Sequence, residues 1–423
     1  LSTDGGALLL RDLDRSMGLT RQLAGCFVDR RNPGQINHSV QALVGQRVLA
    51  LALGYEDLND HQSLRHDPLL GAAADKLPGE VLASAPTLNR LEISSHRQSR
   101  YHKVHAQPEA LQALLLKFGV QGLRRGQREV IIDLDATDDP LHGRQEGRFF
   151  NGYYDSYCYL PLYAFIGDAI VWSQLRTADR DASKGTVEAL EQIVAAVRRR
   201  CPKARIAVRA DGGFCREPIM AWCEEHGVHY VLGLSRNPRL VAELVPAMVR
   251  ARRQACLCGG TARVYHDFNY RTQSSWSRSR RVIGKAERLA DKDNPRFIVT
   301  NLPHEAGALY EQVYCARGEM ENRIKEQQQD LFADRLSSGG FVANQLRLWL
   351  SAFAYQLVER LRAYALKGTE LAQATAGTIR LKLFKLAARV EVSVRRMRVR
   401  MSESSPSRAL FAHVWRRLRA LPG

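Results

Sequence analysis

Carboxylates at the ends of apolar segments are the residues in this sequence that could do chemistry. The segment 129–142 begins as an apolar strand and carries Asp133 and Asp135 inside its apolar run. Side chains alternate along a strand, so these two aspartates share one face. Because an unpaired carboxylate in a protein core is costly, we expect a divalent metal or a cluster of arginines to pair them. Asp138 and Asp139 stand before a proline and predict an ordinary turn.

Two further segments carry residues that would meet this strand. Residues 205–213 predict a second apolar strand that ends in Asp211 and two glycines, which allow a sharp turn. Residues 314–328 predict a helix. One stripe of that helix carries these side chains: Tyr314, Arg317, Glu321, Lys325 and Gln328. Two aspartates on strands and a glutamate on a helix offer the oxygen ligands that hard divalent cations take.

These segments resemble the DDE-type transposases of insertion sequences, which have an RNase H-like catalytic core. The matching motifs are Asp135 in D-A-T, Asp211 in A-D-G-G-F, and a Tyr-x-x-Arg-x-x-x-Glu signature at Tyr314, Arg317 and Glu321. The signature is typical of the branch of the family that also carries a β-rich insertion before the glutamate.

The resemblance, which spans about residues 130–345, implies a metal-dependent enzyme. Asp135, Asp211 and Glu321 would be the catalytic residues and the ligands of two Mg²⁺ ions, with Mn²⁺ as a possible substitute. Strand alternation does not separate Asp135 from Asp133. We choose Asp135 because its D-x-T context matches the family.

The same resemblance implies DNA contacts on the helix. Tyr314 and Arg317 would hold the phosphate backbone next to the cut. The family usually has a lysine where this chain has Gln328, so either Lys325 takes over that contact or the contact is weaker. An ordinary ion pair at i, i+4 is the alternative role for Arg317 and Glu321.

The charge of the chain predicts a polyanionic partner. Its 423 residues include 62 Lys and Arg against 44 Asp and Glu, a net charge of +18, which favours nucleic acid or an anionic membrane surface. No apolar run is long enough to span a membrane. The scattered cysteines suit a reducing cytosol. Since the chain begins at Leu1 rather than Met, we expect a short leading segment to precede it.

The predicted fold class is α/β, with an RNase H-like mixed-sheet core that a β-rich insertion interrupts. The predicted domains are a helical N-terminal domain (1–128), the first part of the core (129–235), the insertion (236–303), the second part of the core with the glutamate helix (304–345), and a helical and basic C-terminal region (346–423). The N-terminal domain either binds DNA ends or packs as a helical domain on the core; the pattern leaves both open.

Residues 263–281 interleave aromatic side chains with Arg and Ser. We expect β-hairpins with exposed basic tips, because stacking on an unpaired base and holding phosphate need this combination. Trp276, Tyr270 and Phe297 are the candidates for stacking, and Arg278 is a candidate for phosphate. The alternative for each aromatic residue is packing within the sheet.

The predicted function is transposition by cutting and pasting DNA. The partners would be double-stranded DNA, both the terminal inverted repeats of the element and its target, and a second copy of the chain in the DNA complex. We expect no membrane partner and a bacterial, cytoplasmic and nucleoid-associated location. Two alternatives stay open: an RNase H-like nuclease or resolvase without strand transfer, and a non-catalytic DNA-binding protein.

Overall fold

The N-terminal part of the chain is helical. A computed structural model of the protein describes residues 1–93, 102–393 and 396–421. The first helices are α1 (Ala7–Met17), α2 (Leu19–Ala24), α3 (Val40–Leu53), α4 (His61–Leu64), α5 (Pro68–Ala73), α6 (Ala85–Glu92) and α7 (Pro108–Gln121). Two short strands, β1 (Phe27–Asp29) and β2 (Val104–Ala106), pair antiparallel.

A mixed sheet forms the centre of the molecule. The strands that follow are β3 (Glu129–Ala136), β4 (Asp139–Pro140), β5 (Phe149–Asn151), β6 (Ser156–Tyr159), β7 (Leu162–Ile166), β8 (Ala169–Gln174), β9 (Arg205–Ala210), β10 (His229–Leu234), β11 (Ala262–Tyr270), β12 (Arg280–Arg288) and β13 (Arg296–Thr300). Eight of them form the sheet, in the order β11-β12-β13-β10-β9-β3-β7-β8, and the other three form a small sheet in the order β4-β6-β5. In the large sheet β9 pairs parallel with β3 and β10, and the other neighbours are antiparallel.

Helices pack on both faces of the large sheet. The remaining elements are α8 (Thr186–Arg200), α9 (Glu217–Glu225), α10 (Pro238–Cys258), α11 (Ala306–Ala308), α12 (Gly318–Leu331), α13 (Phe341–Ala365), α14 (Ala376–Ile379), β14 (Ala388–Val392), β15 (Met397–Met401) and α15 (Arg408–Arg419). Between α11 and α12 the chain stays helical through a π-helical segment, Leu309–Tyr314, and a 3₁₀ turn, Cys315–Arg317. The result is a mixed α/β fold.

Two large hydrophobic cores hold these layers together. One contains the N-terminal helices, most of α13 and side chains of the sheet such as Phe165 and Ile170. The other lies on the opposite side of the sheet, where Ile132 and Leu134 pack with α8, α9 and α10. The N-terminal helices therefore share a core with α13 and the sheet, which favours the packing interpretation of residues 1–128.

The structure corrects the prediction for residues 236–303. Their first half is α10, a helix of 21 residues, and only the second half is β-structure. The strand β11 pairs with β12 and β12 pairs with β13, so both extend the central sheet instead of forming a separate body. The helix covers these strands with an apolar face that includes Leu240, Leu244 and Met248. This packing is a tertiary arrangement that the aromatic and basic composition of 263–281 does not indicate.

Candidate active site

Asp135 and Asp211 lie at the carboxyl ends of the adjacent parallel strands β3 and β9. In the parallel register, Leu134 of β3 stands opposite Ala210 of β9, so the next residue of each strand is one of the two aspartates. Asp211 caps the 3₁₀ turn Gly212–Phe214, and its Oδ1 accepts a hydrogen bond of 2.9 Å from the Gly213 amide. Both aspartates line a cleft of about 1110 Å³ that Glu321 also lines. The structure therefore brings the three predicted carboxylates to one cleft.

Asp133 has a different role from Asp135. Its two carboxylate oxygens accept hydrogen bonds of 2.5 and 2.8 Å from the Arg209 guanidinium, and both side chains are buried. The same guanidinium donates to the Val313 carbonyl at 2.6 Å. An arginine thus neutralises Asp133 inside the core, whereas Asp135 lines the cleft, so the choice of Asp135 agrees with the geometry.

Burial and neighbouring charges destabilise the ionised form of Asp135. Desolvation raises the pKa of this carboxyl to about 7, and the negative charges of Asp211 and Glu321 act in the same direction. The Arg317 guanidinium opposes this rise. A carboxylate in this position gains from any additional cation that enters the cleft.

Arg317 bridges two of the carboxylates. Its Nη2 donates a hydrogen bond of 2.5 Å to Glu321 Oε1, and its Nη1 lies 3.7 Å from Asp135 Oδ2. The i, i+4 ion pair considered from the sequence is therefore present, and it lies inside the cleft rather than on an unrelated surface. The side chain of Glu321 is 41% exposed and its carboxylate is turned to the arginine.

Tyr314 fixes the helix against the sheet. A Cβ atom added to Gly233 of β10 would lie 2.6 Å from the Tyr314 hydroxyl oxygen and 2.8 Å from the Gly212 nitrogen. The glycine lets the tyrosine and the turn after Asp211 approach the strand at the same point. Tyr314 belongs to the π-helical segment, a departure from α-helical geometry that is frequent at functional sites.

A buried ion cluster holds α12 in place. The carboxylate of Glu326 accepts hydrogen bonds from Arg323 and Arg362 at 3.0 and 3.2 Å, and from the Ala376 amide at 2.7 Å. Arg362 belongs to α13, so this cluster joins the helix that carries Glu321 to the central helix of the first core. The position of Glu321 therefore depends on contacts of Arg323 and Glu326, within about one and a half helical turns of it.

Lys325 and Gln328 both line the cleft, but their surroundings differ. Lys325 is exposed. The Gln328 side-chain amide donates to Asp139 Oδ1 at 2.8 Å and to the Asp138 carbonyl at 3.3 Å. Asp139 is fully buried on β4, which raises its pKa well above the usual range, so it is not the exposed turn residue that the sequence predicted.

The predicted stacking residues are not at the surface. Trp276, Tyr270 and Phe297 are only 4%, 8% and 3% exposed and belong to the second core. Trp276 packs edge-on against Tyr270, with ring centroids 5.8 Å apart. The packing interpretation is the one that the structure supports for all three. Arg278 is exposed and pairs with Glu224 at 2.8 Å.

A known protein family matches the whole of this chain. The family model described as Transposase DDE domain, group 1, matches residues 1–423. The chain belongs to the DDE transposase family. No curated protein matches the chain. Within the described residues, no helix is long and apolar enough to cross a membrane.

Sequence analysis missed part of the cleft of this transposase. Besides Arg317, five cationic side chains line it: Arg180, Arg216, Lys285, Arg296 and Lys325. Only the last of these was predicted, because the others come from separate loops and strands. The Tyr154 hydroxyl donates to the Ala136 carbonyl at 3.2 Å, so the β5–β6 hairpin is anchored beside Asp135. Its neighbour Tyr153 is 88% exposed. The run of aromatic residues in 149–159 was the available signal.

A divalent metal ion fits part of the site as it stands. Asp135 and Asp211 offer carboxylate oxygens in the cleft, which are the ligands that hard divalent cations take. Among the residues that the structure describes, however, no three acidic, histidine or cysteine side chains are close enough to share one ion. Glu321 is the side chain that has to turn, since its carboxylate is bound to Arg317.

Proposed function

We propose that this transposase cleaves DNA at the ends of its element and joins them to a target, as a cut-and-paste enzyme. The partners would be the terminal inverted repeats and target DNA, and two copies of the chain would pair the two ends. The observation that carries the proposal is the meeting of Asp135, Asp211, Arg317 and Glu321 in one cleft with several cationic side chains.

Each group in the cleft has a role in this reaction. Asp135 and Asp211, joined by Glu321, would hold two Mg²⁺ ions, which supply charge stabilisation at the phosphate and lower the pKa of a bound water. Arg317 and Lys325 would bind phosphate oxygens beside the scissile bond. Tyr314 would keep the helix at a fixed distance from the turn that follows Asp211. Cleavage would leave a 3′-hydroxyl that attacks a phosphate of the target.

Arg317 would exchange partners in this cycle. Without DNA it is bound to Glu321, and a phosphate oxygen is an equally suitable acceptor for a guanidinium. Binding of the DNA backbone would therefore release Glu321 to join Asp135 and Asp211. This order couples assembly of the carboxylate site to the presence of substrate.

The test uses a supercoiled plasmid that carries both ends of the element, incubated with the protein and Mg²⁺. Excised and joined products are expected for the wild type and are expected to disappear in Asp211→Asn and Asp135→Asn. Asp291→Asn is the matched control, since it makes the same chemical change at an exposed residue outside the cleft lining. It is expected to retain activity.

The rival functions give different products. Cleavage without any joined product would establish a nuclease or resolvase and refute strand transfer. Binding without cleavage, in Mg²⁺ and in Mn²⁺, would establish a non-catalytic DNA-binding protein, and Gln328→Lys would then show whether restoring the usual family residue restores cleavage.

A further inference from the structure

A second group of cationic side chains lies beside the starts of β3 and β9, at the ends of these strands opposite to the carboxylates. We call it the distal basic patch; its members are Arg124, Arg125, Arg128, Arg199 and Lys203. All five are exposed. They come from the loop between α7 and β3, the last turn of α8, and the loop before β9. Three of them line a surface cleft of about 610 Å³.

The backbone that carries the patch is held in place. The Gln127 amide donates to the Arg124 carbonyl at 2.9 Å, and the Arg205 amide donates to the Arg128 carbonyl at 2.8 Å. The Cys201 thiol contacts the Arg124 carbonyl at 3.1 Å. Arg200, next to the patch, bonds to the Leu123 and Gln121 carbonyls at 3.0 and 3.2 Å and so ties α8 to the end of α7. The two loops thus form one surface.

The positive charges of this surface are not neutralised. In the described part of the chain, none of the five side chains forms an ion pair with a carboxylate. Glu129 lies beside them but is already paired with Arg205. Fixed loops therefore hold like charges together, which creates a positive potential that an anionic partner would relieve.

The patch is separate from the catalytic cleft. Glu129 and Arg205 start β3 and β9, whereas Asp135 and Asp211 stand at the opposite ends of these strands. Six residues of extended strand correspond to about 20 Å. A phosphate that contacts the patch is therefore a different phosphate from the one at the carboxylates.

The lining of the patch favours one kind of partner. Besides its cationic residues the cleft is lined by Gly126, Gln127 and Pro202. It has no aromatic ring on which an unpaired base could stack, so it does not suit single-stranded DNA. It also has no pocket-forming aromatic or large aliphatic side chain, which protein partners use as an anchor. Regularly spaced phosphates need only the charges.

We infer that the distal basic patch binds the phosphate backbone of double-stranded DNA, independently of sequence, at a segment away from the scissile phosphate. This inference rests on the proposed function, because it gives the transposase a second region of contact with its DNA substrate. The patch would contribute affinity and orientation and would take no part in the chemical step.

The test compares two triple variants that remove equal charge. The first is Arg125→Gln, Arg128→Gln and Lys203→Gln. The control is Arg250→Gln, Arg253→Gln and Lys292→Gln, which are also exposed cationic residues. Affinity for a duplex of unrelated sequence is measured without metal at several salt concentrations. The slope of log affinity against log salt concentration is negative. Its magnitude is expected to decrease by about 2 to 3 in the patch variant, since each phosphate contact contributes about 0.9. The control variant is expected to keep the wild-type slope.

Two results would overturn the inference. An unchanged slope in a folded patch variant would show that the patch does not contact DNA, and binding of an acidic protein in its place would identify a different partner. An equal fall in both variants would show that only net charge matters. The binding assay needs no cleavage, so it separates the two proposals. If the patch variant had a smaller salt slope and the wild type showed no cleavage, the patch would still be a DNA-binding surface, and the transposition reaction would be refuted.

Discussion

Two aspartates on one face of one strand have different environments because their cross-strand neighbours differ. Asp133 stands opposite Arg209 in the register with β9 and is neutralised in the core. Asp135 is one residue past the last position that pairs with β9, and it lines the cleft. Asp133 is bound by the buried guanidinium of Arg209, whereas Asp135 lies 3.7 Å from Arg317, which is itself bound to Glu321.

This difference predicts that the two asparagine variants differ in stability. Asp133→Asn is expected to lower the free energy of unfolding by about 3 kcal/mol, because it leaves the Arg209 charge buried and unpaired. Asp135→Asn is expected to leave it nearly unchanged, since burial and two neighbouring carboxylates already raise the pKa of Asp135 to about 7. Urea unfolding at pH 7.5 measures both variants. An equal loss in Asp135→Asn would instead assign Asp135 to a structural ion pair with Arg317.

At the scale of elements, the helical run that carries Tyr314 and Glu321 is positioned by a contact with Gly233 of β10. The helical run from α11 to α12 passes through π and 3₁₀ geometry at the signature residues and regains α geometry at Gly318. Its Tyr314 hydroxyl lies against Gly233 of the sheet. The same glycine adjoins the turn after Asp211, so one position sets the spacing between the helix and the two aspartates.

We therefore expect Gly233→Ala to damage both packing and activity. The added methyl group would meet the Tyr314 hydroxyl and the backbone at Gly212, and such overpacking costs about 1 to 3 kcal/mol. Gly318→Ala is the matched control, because no heavy atom lies within 4 Å of its added Cβ. Its stability should stay the same or rise slightly. Thermal unfolding of both variants checks this, and equal behaviour would remove the steric role assigned to Gly233.

Across the whole molecule, buried polar groups join the N-terminal helices to α13. Glu92 of α6 accepts hydrogen bonds of 2.7 Å from Arg47 of α3 and from Arg347 of α13. His61 lies in the same cluster, with its Nδ1 2.9 Å from the Gln46 amide nitrogen. Burial, with the Arg47 charge acting in the same direction, lowers the pKa of His61 to about 3. The histidine is thus buried and neutral.

The pH dependence of stability follows from this histidine. Its unfolded pKa is near 6.5, so below that pH the unfolded chain binds a proton that the folded chain does not. Stability attributable to His61 is complete above pH 6.5 and falls as the pH decreases, by up to about 1.4 kcal/mol per unit. Urea unfolding between pH 5 and 7.5 should show this slope in the wild type and not in His61→Gln. The same slope in both proteins would assign the effect to other groups.

The sequence alone determined the family of this protein. The types and spacing of Asp135, Asp211 and the Tyr314, Arg317 and Glu321 signature indicated the transposase family, because the ends of apolar strands and one helix stripe are local patterns that spacing reports directly. The α/β class followed from the same periodicities. The positive net charge indicated a polyanionic partner without locating its binding surface.

Tertiary structure decided which residues are exposed and which are paired. It separated Asp133 from Asp135 through Arg209, buried Trp276 behind α10, and turned Gln328 to the buried Asp139. None of these outcomes is local, since each depends on a partner that is distant in sequence. Burial and ion pairing arise only when separate elements pack together, and composition or periodicity within one segment carries no information about the partner.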